Sequence, residues 1–296
     1  MDSAGSTHVL FVGRTTFDVL YRLDHLPEED TKTYAAAMHA SSGGPATNAA
    51  ITHALLGGES LLLSPIGGGP WAAEVRRALA RHGVQHIDLA AGTAYETPLV
   101  TVLVNTGRST RKAINPPLAT TEFAPLHAAW NLRWGALPHV ILSDGFHLNA
   151  TLDLLRACRL AGSALVLDGG SWKPGTDALA PSLTAAICSE RFAVPAAPHD
   201  PEATLAWFAA QGVPFAAVTR GPRPILVFDR GRRYEIEIEA VDAVDTLGAG
   251  DVLHGAFCHF LDKTGDCEYA LREAARVATH SCMGLGIDSW RQVLRP

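Results

Sequence analysis

The sequence has only five cysteines, an odd number, and no Cys-x-x-Cys pair. Cys158, Cys188, Cys258, Cys267 and Cys282 mostly sit in apolar surroundings, so they read as buried free thiols of a reducing compartment. No His or Cys spacing suits a metal; His82 and His86 straddle Gly83 and do not share a helical face. Long apolar runs are also missing. Val9–Val12 is too short for a signal segment or a membrane span, and Met1–Thr7 is polar and small, so the expectation is a cytoplasmic protein without membrane contact. Positive charge is scarce. The formal net charge is −6, and the longest basic cluster, Arg230–Arg233, is short and interrupted, which excludes the basic face of a nucleic-acid binder.

Several phosphate-binding signatures are absent too. There is no Gly-x-x-x-x-Gly-Lys-Ser/Thr, no Gly-x-Gly-x-x-Gly after the first apolar run, and no His-Arg-Asp or Asp-Phe-Gly set. These absences exclude a Walker-type NTPase, a nicotinamide enzyme of the usual fingerprint and a protein kinase.

What is present is 296 residues, 47% hydrophobic, enough for one large α/β domain or a domain with a small appendage. Apolar runs alternate with helical patterns. Strands are expected at His8–Gly13, Ser60–Pro65, Ile87–Ala90, Val140–Asp144, Ala164–Asp168, Ala186–Cys188 and Phe215–Thr219, with a hairpin at 225–228 and 234–240. Helices are expected at Ala46–Leu56, Trp71–Arg81, Phe123–Trp134, Thr151–Ala161, Leu179–Thr184, Pro201–Ala210 (capped by Asp200), Asp251–Leu261 and Glu268–Cys282. This alternation predicts a doubly wound, mostly parallel sheet flanked by helices, with ligands at the carboxyl ends of strands. Asp18, Gly43, Asp144, Asp168, Thr219 and the 245–251 loop follow such strands or open helices. Two more polar strands, Tyr21–Leu26 and Lys32–His39, and a hairpin over Pro98–Asn105 and Thr110–Ile114 predict a separate small sheet.

The chemistry centres on Val244-Asp245-Thr246-Leu247-Gly248-Ala249-Gly250-Asp251, which opens an apolar helix. Gly248 and Gly250 permit a left-handed turn and leave no Cβ in front of a ligand. Free N–H groups at the helix start attract an anion. A carboxylate, Asp251, beside that cradle points to chemistry, since it would repel a phosphate held only for binding. The N–H groups of Gly248, Ala249 and Gly250 would hold a transferring phosphoryl group, and Asp251 would take the proton of an acceptor hydroxyl. At a helix N-terminus its pKa is expected to be low.

This stretch resembles the Asp-Thr-x-Gly-Ala-Gly-Asp signature of the PfkB, or ribokinase-like, carbohydrate kinases, at all six fixed positions. The resemblance covers essentially the whole chain. It implies a single kinase domain over 1–296 with a β-sheet lid from about 15–42 and 95–117. It implies ATP as phosphoryl donor, with Mg²⁺ bridged to the nucleotide phosphates and through water, and no firm metal ligand in the chain. Asp251 matches the family's base and Gly248, Ala249 and Gly250 its anion hole. Gly43, Gly44 and Asn48 match its sugar-binding Gly-Gly-x-x-x-Asn and Asp18 its sugar-binding first-loop aspartate, and Asn115, on the lid, is expected to touch substrate. Thr219, Gly221, Thr246, Ala278 and Cys282 match the nucleotide side.

Two departures stand out. Pro224 replaces a second glycine after Gly221, and Ser189-Glu190-Arg191-Phe192 stands where many members carry Asn-x-x-Glu. The Gly43–Asn48 and Ile114–Pro116 segments look more like fructose-type kinases than ribokinase, which makes a ketose such as fructose the expected acceptor at a primary hydroxyl. A sulfofructose-type substrate would need a basic residue near Asp144, where the sequence shows only Gly145-Phe146-His147. A nucleoside or ribose kinase and a non-catalytic sugar- or nucleotide-binding regulator are the alternatives. Alternating Val100, Val102 and Val104 would supply a homodimer interface through the lid.

Overall fold

The structure is a computed structural model that describes residues 8–108, 110–117, 122–126, 137–195 and 200–284. Its centre is β1 (His8–Val12), a run of five residues with its last four fully buried. Side chains alternate across a strand. Val9 and Phe11 therefore pack with α1 (Pro45–Leu55), α2 (Gly69–Arg81), α6 (Ala249–Thr264) and α7 (Cys267–Ser281). Leu10 and Val12 pack on the other face with α3 (Leu148–Leu160), the short α4 (Thr176–Leu179) and α5 (Pro201–Ala210). A strand apolar on both faces belongs in a sheet covered on both sides.

That sheet has nine strands. On one side of β1 lie β4 (Glu59–Ser64) and β5 (Gln85–Asp88). On the other lie β8 (Val140–Ser143), β9 (Ala164–Gly169), β10 (Ala185–Ser189), β11 (Phe215–Arg220), β12 (Arg223–Asp229) and β13 (Arg232–Ile236). All pairs are parallel except the last two, which form the hairpin edge. The chain winds outward from β1 in both directions, so the switch point lies between β1 and β8. Crevices for ligands open there, at the carboxyl ends of the strands.

A second sheet of four strands stands apart, in the order β3 (Ala37–Gly43), β2 (Thr16–Leu23), β6 (Leu99–Asn105), β7 (Thr110–Ile114). Its central pair, β2 with β6, is parallel and its outer pairs are antiparallel. The expected small sheet is therefore present, but its first two strands are displaced from 21–26 and 32–39. Asp18 lies inside β2, and Ser41, Ser42 and Gly43 lie inside β3. Hydropathy misplaces both because the residues that extend them are polar and face a cleft.

Other expectations need smaller corrections. Phe123–Leu126 is not helical; Phe123 stacks edge-on against Tyr95 and His147. The remainder of the helix expected to Trp134 lies outside the described residues, apart from the segment just named. The last hairpin strand stops at Ile236, short of Ala240. Val100 and Val102 are buried with Leu20 against Val104 and Leu247, so this alternation packs the small sheet against the 244–251 loop. Asp200 caps α5 as expected, accepting from the N–H groups of Glu202 and Ala203. No helix among the described residues is long and apolar enough to cross a membrane.

Candidate active site

The cleft between the two sheets has a volume of about 470 Å³. Its floor is the start of α6. Gly248 takes φ 75°, a left-handed turn that glycine adopts without cost, and α6 begins at the next residue. The first α-helical bond runs from the Val252 N–H to the Gly248 carbonyl, so the Gly250 and Asp251 N–H groups stay at the open end. A Cβ on Gly250 would meet nothing within 4 Å. The N–H of Ala249, expected in the anion hole, turns instead to the Thr246 carbonyl at 3.4 Å.

Asp251 stands at this opening. The Asn48 side-chain amide donates to its Oδ2 at 2.7 Å. Asn48 and α1 are fixed by close packing of α1 on α6: a Cβ at Gly255 would fall 2.3 Å from the Ala49 carbonyl. Asn48, expected to bind sugar, commits its amide to Asp251, and only its buried Oδ1, without a hydrogen-bond partner among the described residues, is left for a hydroxyl. Burial, then the neighbouring charges of Asp168 and Asp18, push the Asp251 pKa up to about 7, against the pull of Asn48 and His254. The low pKa expected from the helix dipole is thus overturned, because desolvation and two more carboxylates outweigh a helix end. His254, one turn on, does not reach the cleft. Its ring nitrogens face the Gly250 and Ile187 carbonyls at 2.7 and 3.0 Å, with Asp168 at 3.4 Å.

Asp18 faces the cleft from β2, accepting from the Thr16 hydroxyl at 2.6 Å. Burial raises its pKa. The Gly43–Gly44 pair explains how it fits. A Cβ on Gly43 would lie 2.1 Å from Asp18 Oδ2, and one on Gly44, at φ 97°, would lie 2.3 Å from the Arg14 carbonyl. The glycines thus make room for a carboxylate and a crossing backbone. Asn115 lies at the exposed rim, just past β7.

The switch point holds Asp144, fully buried after β8. Its carboxylate accepts from the N–H groups of Arg14 (2.8 Å), Phe146 (2.9 Å) and Ala46 (3.3 Å). Burial raises its pKa to about 6, opposed by the nearby Lys173 and these N–H donors. Sequence reasoning missed Arg14, Phe146, Ser171 and Lys173, which line the same cleft. The available signal was their position directly after β1, β8 and β9, at carboxyl ends.

The expected nucleotide residues fall into two groups. Val244 and Asp245 donate to the Cys282 carbonyl at 2.7 and 3.1 Å, so the end of α7, with Ala278 and Cys282, anchors the loop that carries Thr246. Thr219 and Gly221 lie at the carboxyl end of β11, where the Thr219 hydroxyl donates to the Cys188 carbonyl at 3.3 Å and Gly221 turns at φ 63°. Glu190 is ion-paired with Arg223. Among the described residues, no group of three His, Cys, Asp or Glu side chains could hold a metal ion. From the small sheet, Arg111 donates to the Thr246 carbonyl (2.9 Å) and hydroxyl (3.2 Å), tying that sheet to the 244–251 loop.

Known proteins resemble this chain in sequence and fold. A deoxyribokinase of Salmonella typhi is 23% identical over 293 residues, covering 95% of this chain and 94% of its own. A nucleoside kinase of Methanothermobacter thermautotrophicus is 32% identical over 97 residues, 33% of this chain and 31% of its own. The Arabidopsis thaliana ribokinase complexed with ribose and ATP superposes with a TM-score of 0.78 at 20% identity, over 98% of this chain and 99% of that one. Residues 6–288 match the family described as pfkB family carbohydrate kinase. With the fold, the cleft and a buried carboxylate at an open helix end in hand, that match over nearly the whole length identifies the chain as a member of the pfkB family of carbohydrate kinases, a phosphotransferase acting on a sugar hydroxyl.

Proposed function

We propose that the chain transfers the γ-phosphoryl group of ATP to a primary hydroxyl of a small sugar, as a single catalytic unit whose four-stranded sheet is the lid. The observation that carries this reading is Asp251, bonded to Asn48, at the open end of α6 with a pKa near 7. Such a carboxyl is a far better base at neutral pH than an ordinary aspartate. Asp251 removes the proton from the acceptor hydroxyl. The freed oxygen attacks the γ-phosphorus while its bond to the bridging oxygen of ADP breaks. Gly248 and the N–H groups of Gly250 and Asp251 face the transferring group. Asp18 and the free Oδ1 of Asn48 accept from sugar hydroxyls. Thr219, Gly221, Ala278 and Cys282 border the nucleotide, and Mg²⁺ enters with it.

The ketose expectation rests on the Gly43–Asn48 and Ile114–Pro116 segments alone. The relatives are named for deoxyribose, ribose and nucleosides, so fructose has no support from them. The nucleoside reading is favoured by one local match and by the apolar wall of Leu20, Val100 and Phe146. Coupled ADP release with Mg-ATP against aldoses, ketoses and nucleosides, with Asp251→Asn as control, tests the proposal. Turnover that survives the substitution would remove Asp251 from the mechanism.

A further inference from the structure

Beyond Asp251 and Asp18, the cleft contains cationic groups that a neutral sugar leaves unused. We propose that the acceptor carries an anionic group, a carboxylate, phosphate or sulfonate, away from the reacting hydroxyl, and that Lys173 and Arg14 bind it. The inference rests on the kinase reading above.

Lys173 follows β9 and is only 9% exposed. Its ammonium donates to the Ser171 carbonyl (3.1 Å) and hydroxyl (3.3 Å), both neutral. An ammonium has three donors, so one remains. Arg14 follows β1, and its guanidinium donates no hydrogen bond to any described residue. The two share one ring: Lys173 Nζ lies 4.5 Å and the Arg14 guanidinium 5.3 Å from the centre of Phe146, which places them no more than about 10 Å apart. Neither forms an ion pair with a carboxylate among the described residues. The obvious partner, Asp144, already accepts from three backbone N–H groups.

Lys173 and the half-buried Arg14 feel the charges of Asp144 and Asp18 but form no direct ion pair with either, so their remaining donors stay open, and a donor of a buried ammonium left without an acceptor is costly. The chain nevertheless builds this arrangement. Gly145 turns at φ 77°, and a Cβ there would press on the Lys173 stem at 3.2 Å. Both cations stand at the switch point, where Val12 pairs with Ser143 and a ligand is received. They act on Asp18 and Asp144, whereas the charges acting on Asp251 are those of Asp168, His254 and Asp18. The cationic end and the reacting end of the cleft are thus distinct. An anion between Lys173 and Arg14 supplies the acceptors that their open donors lack.

The test is coupled ADP release with Mg-ATP on matched probes that each keep a primary hydroxyl: fructose, 2-ketogluconate, fructose 6-phosphate and 6-deoxy-6-sulfofructose. The wild type should prefer one of the anionic sugars over its neutral counterpart by at least about 10-fold in kcat/KM, and which one identifies the anion. Lys173→Met should raise the KM of that sugar by about 10- to 100-fold, leave the KM of ATP unchanged, and be partly rescued by Lys173→Arg. Arg14→Met serves as the second variant should Lys173→Met fail to fold. Equal kcat/KM for neutral and anionic sugars, or a rise confined to the KM of ATP, overturns the proposal and leaves the kinase reading intact. A thermal shift of the wild type by an anionic sugar without nucleotide, lost in Lys173→Met, supports the anion site even if no sugar is phosphorylated, in which case the kinase reading fails alone.

Discussion

Asn48 and Asp251 are joined by a 2.7 Å hydrogen bond from the side-chain amide to the carboxylate, linking the first turn of α1 to the first turn of α6. The bond stabilises the charged form of a carboxyl that burial otherwise holds near pKa 7. Removing it with Asn48→Ala should push that pKa higher. The acidic limb of kcat/KM against pH is then expected to move to higher pH, with activity at pH 9 recovering more than at pH 6.5. A limb that stays in place would show that Asn48 does not tune the base.

Asp251→Asn should lower kcat by about 10²–10⁴-fold, the usual worth of a positioned general base. It should also stabilise the protein. The folded carboxyl titrates above its ordinary value of 3.8, so its contribution to stability is fully present below that pH and is lost as pH rises through about 7. At pH 8 the charged group destabilises the fold, and the neutral amide relieves it. Thermal denaturation at pH 8 should show Tm raised by about 2–4 °C, with little change at pH 4.

Arg111 reaches from the small sheet to Thr246 in the anion loop. Arg111→Ala should loosen the sheet over the cleft. Sugar KM should rise by about 3- to 10-fold, and ADP release without sugar should grow relative to the sugar-dependent rate. Unchanged KM with unchanged background hydrolysis would make Arg111 a surface contact only.

Gly43→Ala places a methyl 2.1 Å from Asp18 Oδ2. The carboxylate must swing away. The expected result is a sugar KM raised by about 10-fold or more at nearly unchanged Tm, since Asp18 lies at the cleft and not in the core. Steady-state kinetics beside a melting curve separates this from general unfolding.

Much of the fold is legible in order. The apolar runs at 8–13, 140–144, 164–168 and 215–219 are strands, and Asp200 with Pro201 opens a helix where a cap followed by proline should. The four-stranded sheet was harder to place. Asp18, Ser41 and Ser42 extend its strands with polar side chains, because that face meets a ligand cleft and not a core.

What the sequence by itself determined is local: the glycine turn and helix start that end in Asp251, the alternation that buries β1 on both faces, the cap of α5. Each depends on residues within a few positions, where backbone geometry and side-chain period act directly. What the tertiary structure decided is the charge state and company of those groups. Asp251 titrates near 7 because the closed fold buries it and β9 and β2 bring the charges of Asp168 and Asp18 beside it, against the opposing pull of Asn48 from α1. Lys173 and Arg14 meet over Phe146 because β9, β1 and β8 end side by side. Desolvation and Coulomb forces act through space, so positions distant along the chain set the chemistry once the sheet has closed.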